Sequence, residues 1–368
     1  MRRQIFYRVG ITLIEMLVAI AISLMVLLAV IQVFDQLNTS MNASKATIEQ
    51  AGELRNLTQR LQADLDGMTA LTLPWTPVGA GDGYFEYVEG PQFDNVGAGA
   101  SPPNYWGDRD DFIMFTSRSQ GKPFIGRFGA NIIESDLAEI VWWVDALGDL
   151  NGNGNADPQE FVIRRRVLLI RPDLSPTGTL ATFLESNDVS VRNEGGSLVA
   201  NSLADLTLRE NRVGHSAAFP HAVTAANLPE IPASHTDAGI DIVLDKVVAF
   251  DVRVYDALAQ LKTASGTSAT LAPGDVGWAA ATTVIGRGAY VDLNYANNNT
   301  MSFYSGPANN VSRASTPHQL TTPTYSTWPE AYEQDGINQD GDSAGGNPLI
   351  DEGRDGFDTG GNSAAADD

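Results

Sequence analysis

Six oxygen-bearing side chains alternate along one short run, Asp149–Glu160 (DLNGNGNADPQE). Asp149, Asn151, Asn153, Gly154 and Glu160 fill every fixed position of the pattern D-x-[DN]-x-[DN]-G-x5-E. Such alternation lets a tight loop surround a hard cation with oxygen. The backbone carbonyl of Asn155 would add a ligand, and Asp157 another, directly or through water. Gly154 permits the sharp turn, and Glu160 would close the shell with two oxygens. Calcium accepts about six to eight oxygens in irregular geometry, so it fits better than magnesium. Asparagine at two ligand positions lowers the charge of the site and with it the expected affinity. The NGNGN run is also good material for a hairpin connection, which is the alternative reading.

A second acidic cluster occupies Glu330–Asp368, with eleven acids and one base, Arg354. Asn338, Asp340 and Asp342 have ligand spacing, and Asp351, Glu352, Asp355 or Asp358 could fold back to complete a second shell. Leu349 stands at the twelfth place, where a closing acid is needed. A solvated acidic tail is the alternative. Tyr332, Ile337, Leu349, Ile350 and Phe357 would anchor the segment against it.

Catalytic patterns are lacking. His215, His221, His235 and His318 are scattered without HExxH spacing. Gly214–Ala218 approaches a nucleophile elbow but lacks its last glycine. No phosphate-binding or dinucleotide-binding glycine pattern is present. The absence of cysteine excludes disulfides, thiolate metal sites and a cysteine nucleophile. A net charge of −22 argues against nucleic acid as a partner. Trp75, Tyr84, Phe85, Tyr87, Tyr105 and Trp106 could form a carbohydrate- or surface-binding face, or could simply pack a core.

The loop at Asp149–Glu160 must be held by its neighbours. Both flanks read as strands, Ile140–Val144 and Phe161–Ile170, so the loop is not expected in a helix–loop–helix unit. Asp110–Thr116 and Lys246–Tyr255 read as further strands, and Ala289–Leu293 as a weaker one. Gly79–Pro103, Ser175–Ala204 and Thr263–Pro273 read as loops. Before them, Leu54, Leu57, Leu61, Leu65 and Met68 recur at three- and four-residue steps. That spacing predicts an amphipathic helix with one face buried against the sheet. Pro74 and Pro77 end it.

The N-terminus carries the most specific pattern. A basic leader, Met1–Gly10, precedes an apolar run, Ile11–Val33, with one acid, Glu15, near its start. Twenty-three residues suffice to span a bilayer. Arg2, Arg3 and Arg8 predict a cytoplasmic N-terminus with the remainder exported. An acid inside a membrane helix costs about 2.5–3.5 kcal/mol at mid-bilayer on insertion scales, unless it sits near the interface or has a partner. The bland alternative is an ordinary signal anchor.

Gly10, Ile11, Thr12, Leu13, Ile14 and Glu15, followed by the apolar run, resemble the processing site of type IV pilin-like precursors. Ile11 stands where that family usually has phenylalanine. The resemblance implies cleavage after Gly10 by a prepilin peptidase, methylation of Ile11, and pairing of Glu15 with a neighbouring subunit's N-terminal amine. The run Arg60, Leu61, Asp64, Leu65 ahead of paired strands is similar, more weakly, to the J-type pseudopilins of type II secretion and to W-type minor pilins.

The expectation is therefore an α+β protein: a leader (1–10), a transmembrane and filament-packing helix (11–35), its amphipathic continuation (36–70), a β-rich head (71–329) and an acidic C-terminal segment (330–368). A helix from Ile11 to about Gly67 would be roughly 85 Å long. By resemblance the chain is a non-enzymatic minor pilin or pseudopilin in the inner membrane, with its head periplasmic or extracellular. Its partners would be other pilin or pseudopilin subunits, and calcium its cofactor. A stem-mounted adhesin or ligand-binding module, or a membrane-anchored hydrolase, are the other classes.

Overall fold

Leu13–Asp66 forms one uninterrupted α-helix, α1, of 54 residues. Leu, Met, Ala, Glu, Gln and Arg dominate it, and it contains no proline. The computed structural model describes residues 12–70, 81–89, 109–148, 150, 152, 160–217, 221, 223, 227–231, 235, 238–264, 269–275, 277–292, 300–301, 311–312 and 324–327. The chain divides into two units, Met1–Gln59 and Arg60–Asp368. The described part of the first unit is α1 alone, long and apolar enough at its N-terminal end to cross a membrane.

In the second unit, β1 (Phe85–Val88) and β2 (Phe112–Arg118) are followed by a hairpin of β3 (Phe124–Phe128) and β4 (Asn131–Ser135). Then come β5 (Leu137–Ala146) and β6 (Phe161–Leu169), the short helix α2 (Leu180–Ser186), and a second hairpin of β7 (Val191–Glu194) and β8 (Ser197–Ala200). Beyond them lie β9 (Ile242–Asp245), β10 (Val254–Thr263), β11 (Thr270–Leu271), β12 (Thr283–Val291), β13 (Thr300–Met301), β14 (Val311–Ser312) and β15 (Thr324–Ser326). The main sheet is antiparallel, in the order β15-β1-β2-β5-β6-β9, and β11-β10-β12 form a smaller sheet. The expectation of α+β with antiparallel sheets holds. The two strands expected to flank the Asp149–Glu160 loop are present and pair with each other, with Glu139 opposite Leu168 and Trp143 opposite Arg164.

The period-two alternation of strands sorts the main sheet into two faces. Met114, Val141, Trp143 and Leu168 on one face pack with Phe183, Leu184, Val191, Leu198, Leu206 and Val213 from the covering segments. Ile140, Trp142 and Ile163, on the other face, are almost fully buried.

The structure departs from the sequence reading at several places. Gly79–Pro103 and Thr263–Pro273, expected as loops, contain β1 and β11. The strand expected at Lys246–Tyr255 starts later and runs through Val254–Thr263. Ser175–Ala204, expected as loop, contains α2 and the β7–β8 hairpin. Burial along α1 is confined to its end: Asp64 is 4% exposed, Leu61 and Leu65 are half-buried, and Leu54 is 46% exposed.

Candidate functional site

Thr12 and Glu15 form a reciprocal cap at the start of α1. Thr12 donates its backbone N–H to Glu15 Oε2 at 2.9 Å and its hydroxyl to the same oxygen at 3.0 Å. Glu15 N–H returns a bond to Thr12 Oγ1 at 3.3 Å. This is the T-x-x-E capping box, and it favours an acid near the positive end of the helix dipole. Glu15 thus has a local partner on the described chain. Gly10 and Ile11 lie outside the described residues.

Along the first part of α1 the apolar side chains are exposed on every face, from Leu13 at 84% to Phe34 at 61%. A heptad-spaced row, Leu27, Val30, Phe34, Leu37, Met41 and Ile48, continues past the first acid after the apolar run, Asp35.

At the end of α1 the chain is joined to the second face of the sheet. Asp64 accepts bonds from Arg165 Nε and Nη2, both at 2.6 Å, and from Trp142 Nε1 at 3.0 Å. Its carbonyl accepts the Ser117 hydroxyl at 2.8 Å. Gly67 O then accepts Arg118 N–H, and Thr69 N–H bonds to Thr116 O, so the backbone after α1 pairs with β2. The sequence places Asp64 in a pilin-like run but assigns it no partner.

The three consecutive arginines of β6 alternate between faces. Arg165 grips α1. Arg164, on the first face, bonds to Asp145, Asp241 and Glu230. Arg166, on the same face, pairs with Asp188 at 3.0 Å and donates to Leu184 O and Asn187 O. Burial beside Asp145 and Asp241 pushes the Glu230 carboxyl up, against the pull of Arg164.

β5 and β6 place the proposed calcium loop at their hairpin end. Asp149, Asn151, Asn153, Asn155 and Asp157 lie outside the described residues, as do Asn338, Asp340, Asp342 and Asp351. Glu160 is described. It is 2% exposed, and its Oε1 accepts the backbone N–H of Leu150 at 2.8 Å. Its own carbonyl accepts Leu147 N–H. The acid thus ties Leu150 back to the start of β6. Among the described residues, no group of three or more His, Asp or Glu side chains is placed to hold a metal ion.

A sealed polar cluster lies under the covering segments on the first face. The side chains of Glu86, Arg209, Arg212 and His215 are all 0% exposed. Glu86 accepts Arg209 Nη2 and Arg212 Nη1, each at 2.8 Å, and stands 2.9 Å from His215 Nε2. Burial alone would raise the Glu86 carboxyl; Arg209, His215 and Arg212 outweigh it and hold its pKa well below the usual range. Arg212 directs its remaining donors to Leu206 O, Thr207 O, Ser326 Oγ and Thr327 O. Beside it, Glu139 accepts Tyr84 Oη–H, Ser190 Oγ–H and Val213 N–H. Within the Gly214–Ala218 run, His215 is therefore turned onto Glu86 in the core. Tyr84, Phe85 and Tyr87 are buried too, so they do not form an exposed binding face; Trp75, Tyr105 and Trp106 lie outside the described residues.

No family model, curated protein or solved structure matches this chain.

Proposed function

We propose that the protein is a minor pilin or pseudopilin: a structural subunit held in the inner membrane by α1 and assembled through that helix into a pilus-like filament or secretion pseudopilus. The observation that carries this reading is the outer surface of α1. A helix apolar all round needs a lipid or protein environment on every side. Its heptad-spaced row extends to Met41 and Ile48, more than a turn past Phe34, where hydrocarbon no longer covers it. Neighbouring helices of like subunits would cover both parts in turn.

Glu15 fits the same scheme. It caps its own helix while the subunit waits in the bilayer, and its charge is then available to a neighbour's N-terminal amine after cleavage at Gly10. Attraction between those charges rises as water is excluded. The second unit is the head, placed near the filament tip because its bulk fits poorly into dense helical packing. Calcium held by Asp149–Glu160 would stiffen the β5–β6 end of the head.

Glu15→Gln tests the central step. Glutamine keeps the capping box but removes the charge. The expected result is normal membrane insertion with loss of incorporation into filaments. Undiminished incorporation would exclude charge pairing as the docking device. Mature protein should also begin at methylated Ile11.

A further inference from the structure

The apolar row of α1 keeps a stricter period than a membrane anchor needs. From Leu13 to Ala51, steps of three and four residues alternate without a break, and every stop is apolar or a serine, Ser23 and Ser44. A straight α-helix drifts by about 20° per heptad against such a repeat. The row therefore stays on one line only where two helices wind round each other left-handedly. Lipid demands no such phase.

Past the bilayer the row is a single seam. Phe34, Leu37, Met41 and Ile48 are 52–72% exposed. Thr39, Ala43, Ala46 and Gln50 occupy the opposite side of the helix. One seam admits one principal neighbour. From Phe34 to Ala51 it runs for about 26 Å, beyond the hydrocarbon that Leu13–Val33 is long enough to fill.

We propose that this neighbour is a second copy of the same chain, the two α1 helices forming a parallel, in-register coiled coil from the bilayer out to Ala51.

Two features of the row select a copy of itself. Ser23 and Ser44 both lie in the seam, three whole heptads apart. In register, each serine meets its own counterpart, hydroxyl against hydroxyl. A shift of one or two heptads sets both against apolar side chains, so the serines fix the register as a polar seam residue does. Ser23 already donates to Ala19 O at 2.8 Å and keeps acceptor capacity for a partner. Small residues at these places also let two backbones approach closely inside lipid.

The second feature is charge. Lys45 lies on one flank of the seam and pairs within its own helix with Glu49 at 3.6 Å. The other flank carries Ser40 and Thr47. In a parallel pair these two flanks face each other, so the cation meets neutral side chains and no like charges are opposed. Parallel orientation follows from the anchor, because both copies enter the bilayer from the same side. The inference rests on the reading of α1 as a membrane stem.

The chain has no cysteine, so single cysteines can be placed along α1 without background. The test is oxidation with copper phenanthroline of the full chain, alone in phosphatidylcholine vesicles at low protein density. Met41→Cys, Ser44→Cys and Ile48→Cys should each give about tenfold more disulfide-linked dimer than Ala43→Cys, Ala46→Cys or Gln50→Cys on the opposite side. A size-tagged Leu37→Cys chain mixed with Ser44→Cys should not join to it, because one heptad separates the two by about 10 Å. Equal dimer from both sides of the helix, or none from the seam, would overturn the pairing. Joining of Leu37→Cys to Ser44→Cys would overturn its register. Other subunits are absent from the vesicles, so either failure leaves filament assembly standing. Failure of the pilin-like reading shows elsewhere, in undiminished filament incorporation of Glu15→Gln.

Discussion

Asp64, on the last turn of α1, and Arg165, at the centre of β6, form a two-toothed ion pair with both contacts at 2.6 Å. Their side chains are 5% and 15% exposed, so the pair is largely shielded from water and salt. Trp142 closes it from the neighbouring strand. The end of the helix is thereby fixed on the sheet by charge and shape together.

Removing Asp64 should therefore be strongly destabilising. Asp64→Ala leaves the Arg165 guanidinium and the Trp142 N–H buried without their shared acceptor, and the expected loss is about 3–5 kcal/mol. Asp64→Asn keeps one acceptor and should lose less. Urea unfolding followed by tryptophan fluorescence would read both.

Two glycines of the same region should respond in opposite directions. A Cβ at Gly67 would collide with the Arg118 carbonyl oxygen, against which the chain packs after α1. Gly67→Ala should cost about 1–3 kcal/mol. Gly52, inside α1, has nothing within 4 Å of the same added carbon. Gly52→Ala should stabilise the helix by about 0.5–1 kcal/mol. Thermal melts monitored by circular dichroism compare the two.

Glu86 predicts acid sensitivity below the ordinary carboxylate range. Its folded-state pKa is depressed from 4.5, so the unfolded chain binds the proton first. The contribution is complete above 4.5 and is lost as pH falls through the depressed value. The decline of denaturant midpoints followed from about pH 6 down to about pH 2 should steepen below 4.5. A flat profile there would contradict the buried carboxylate.

Glu160 separates calcium binding from plain loop closure. Glutamine retains an oxygen for Leu150 N–H but lacks the charge. Glu160→Gln should match the wild type in melting temperature without calcium and lose most of the rise on calcium addition. A wild-type protein whose melting temperature ignores calcium would reject the site.

The helix and the arginine hairpin are legible in the sequence because both patterns are local. The apolar run of α1 has no breaker, and Ile140–Val144 and Phe161–Ile170 are rich in β-branched and aromatic residues. Lys246–Arg253 misleads because its alternation resembles a strand. Val252 has its backbone served by side chains instead: its N–H bonds to Asp111 Oδ2, and its carbonyl accepts the Tyr87 hydroxyl. The β7–β8 hairpin carries a readable signal in Gly195-Gly196, whose φ angles of 58° and 86° make the tight turn; its polar flanks hide it. The buried cluster has no local signature, since Glu86 and Arg209 are 123 residues apart.

The alternation of Arg164, Arg165 and Arg166 constrains how this molecule can change. One inserted residue ahead of them would turn each guanidinium toward the opposite side and strand every one of their carboxylate partners at once. The exposed turn between β7 and β8, at Gly195-Gly196, carries no such penalty for length. Variation, natural or engineered, should accumulate at that turn while the arginine triplet keeps its phase, which makes the turn the place to graft a new sequence and β6 the place to leave alone.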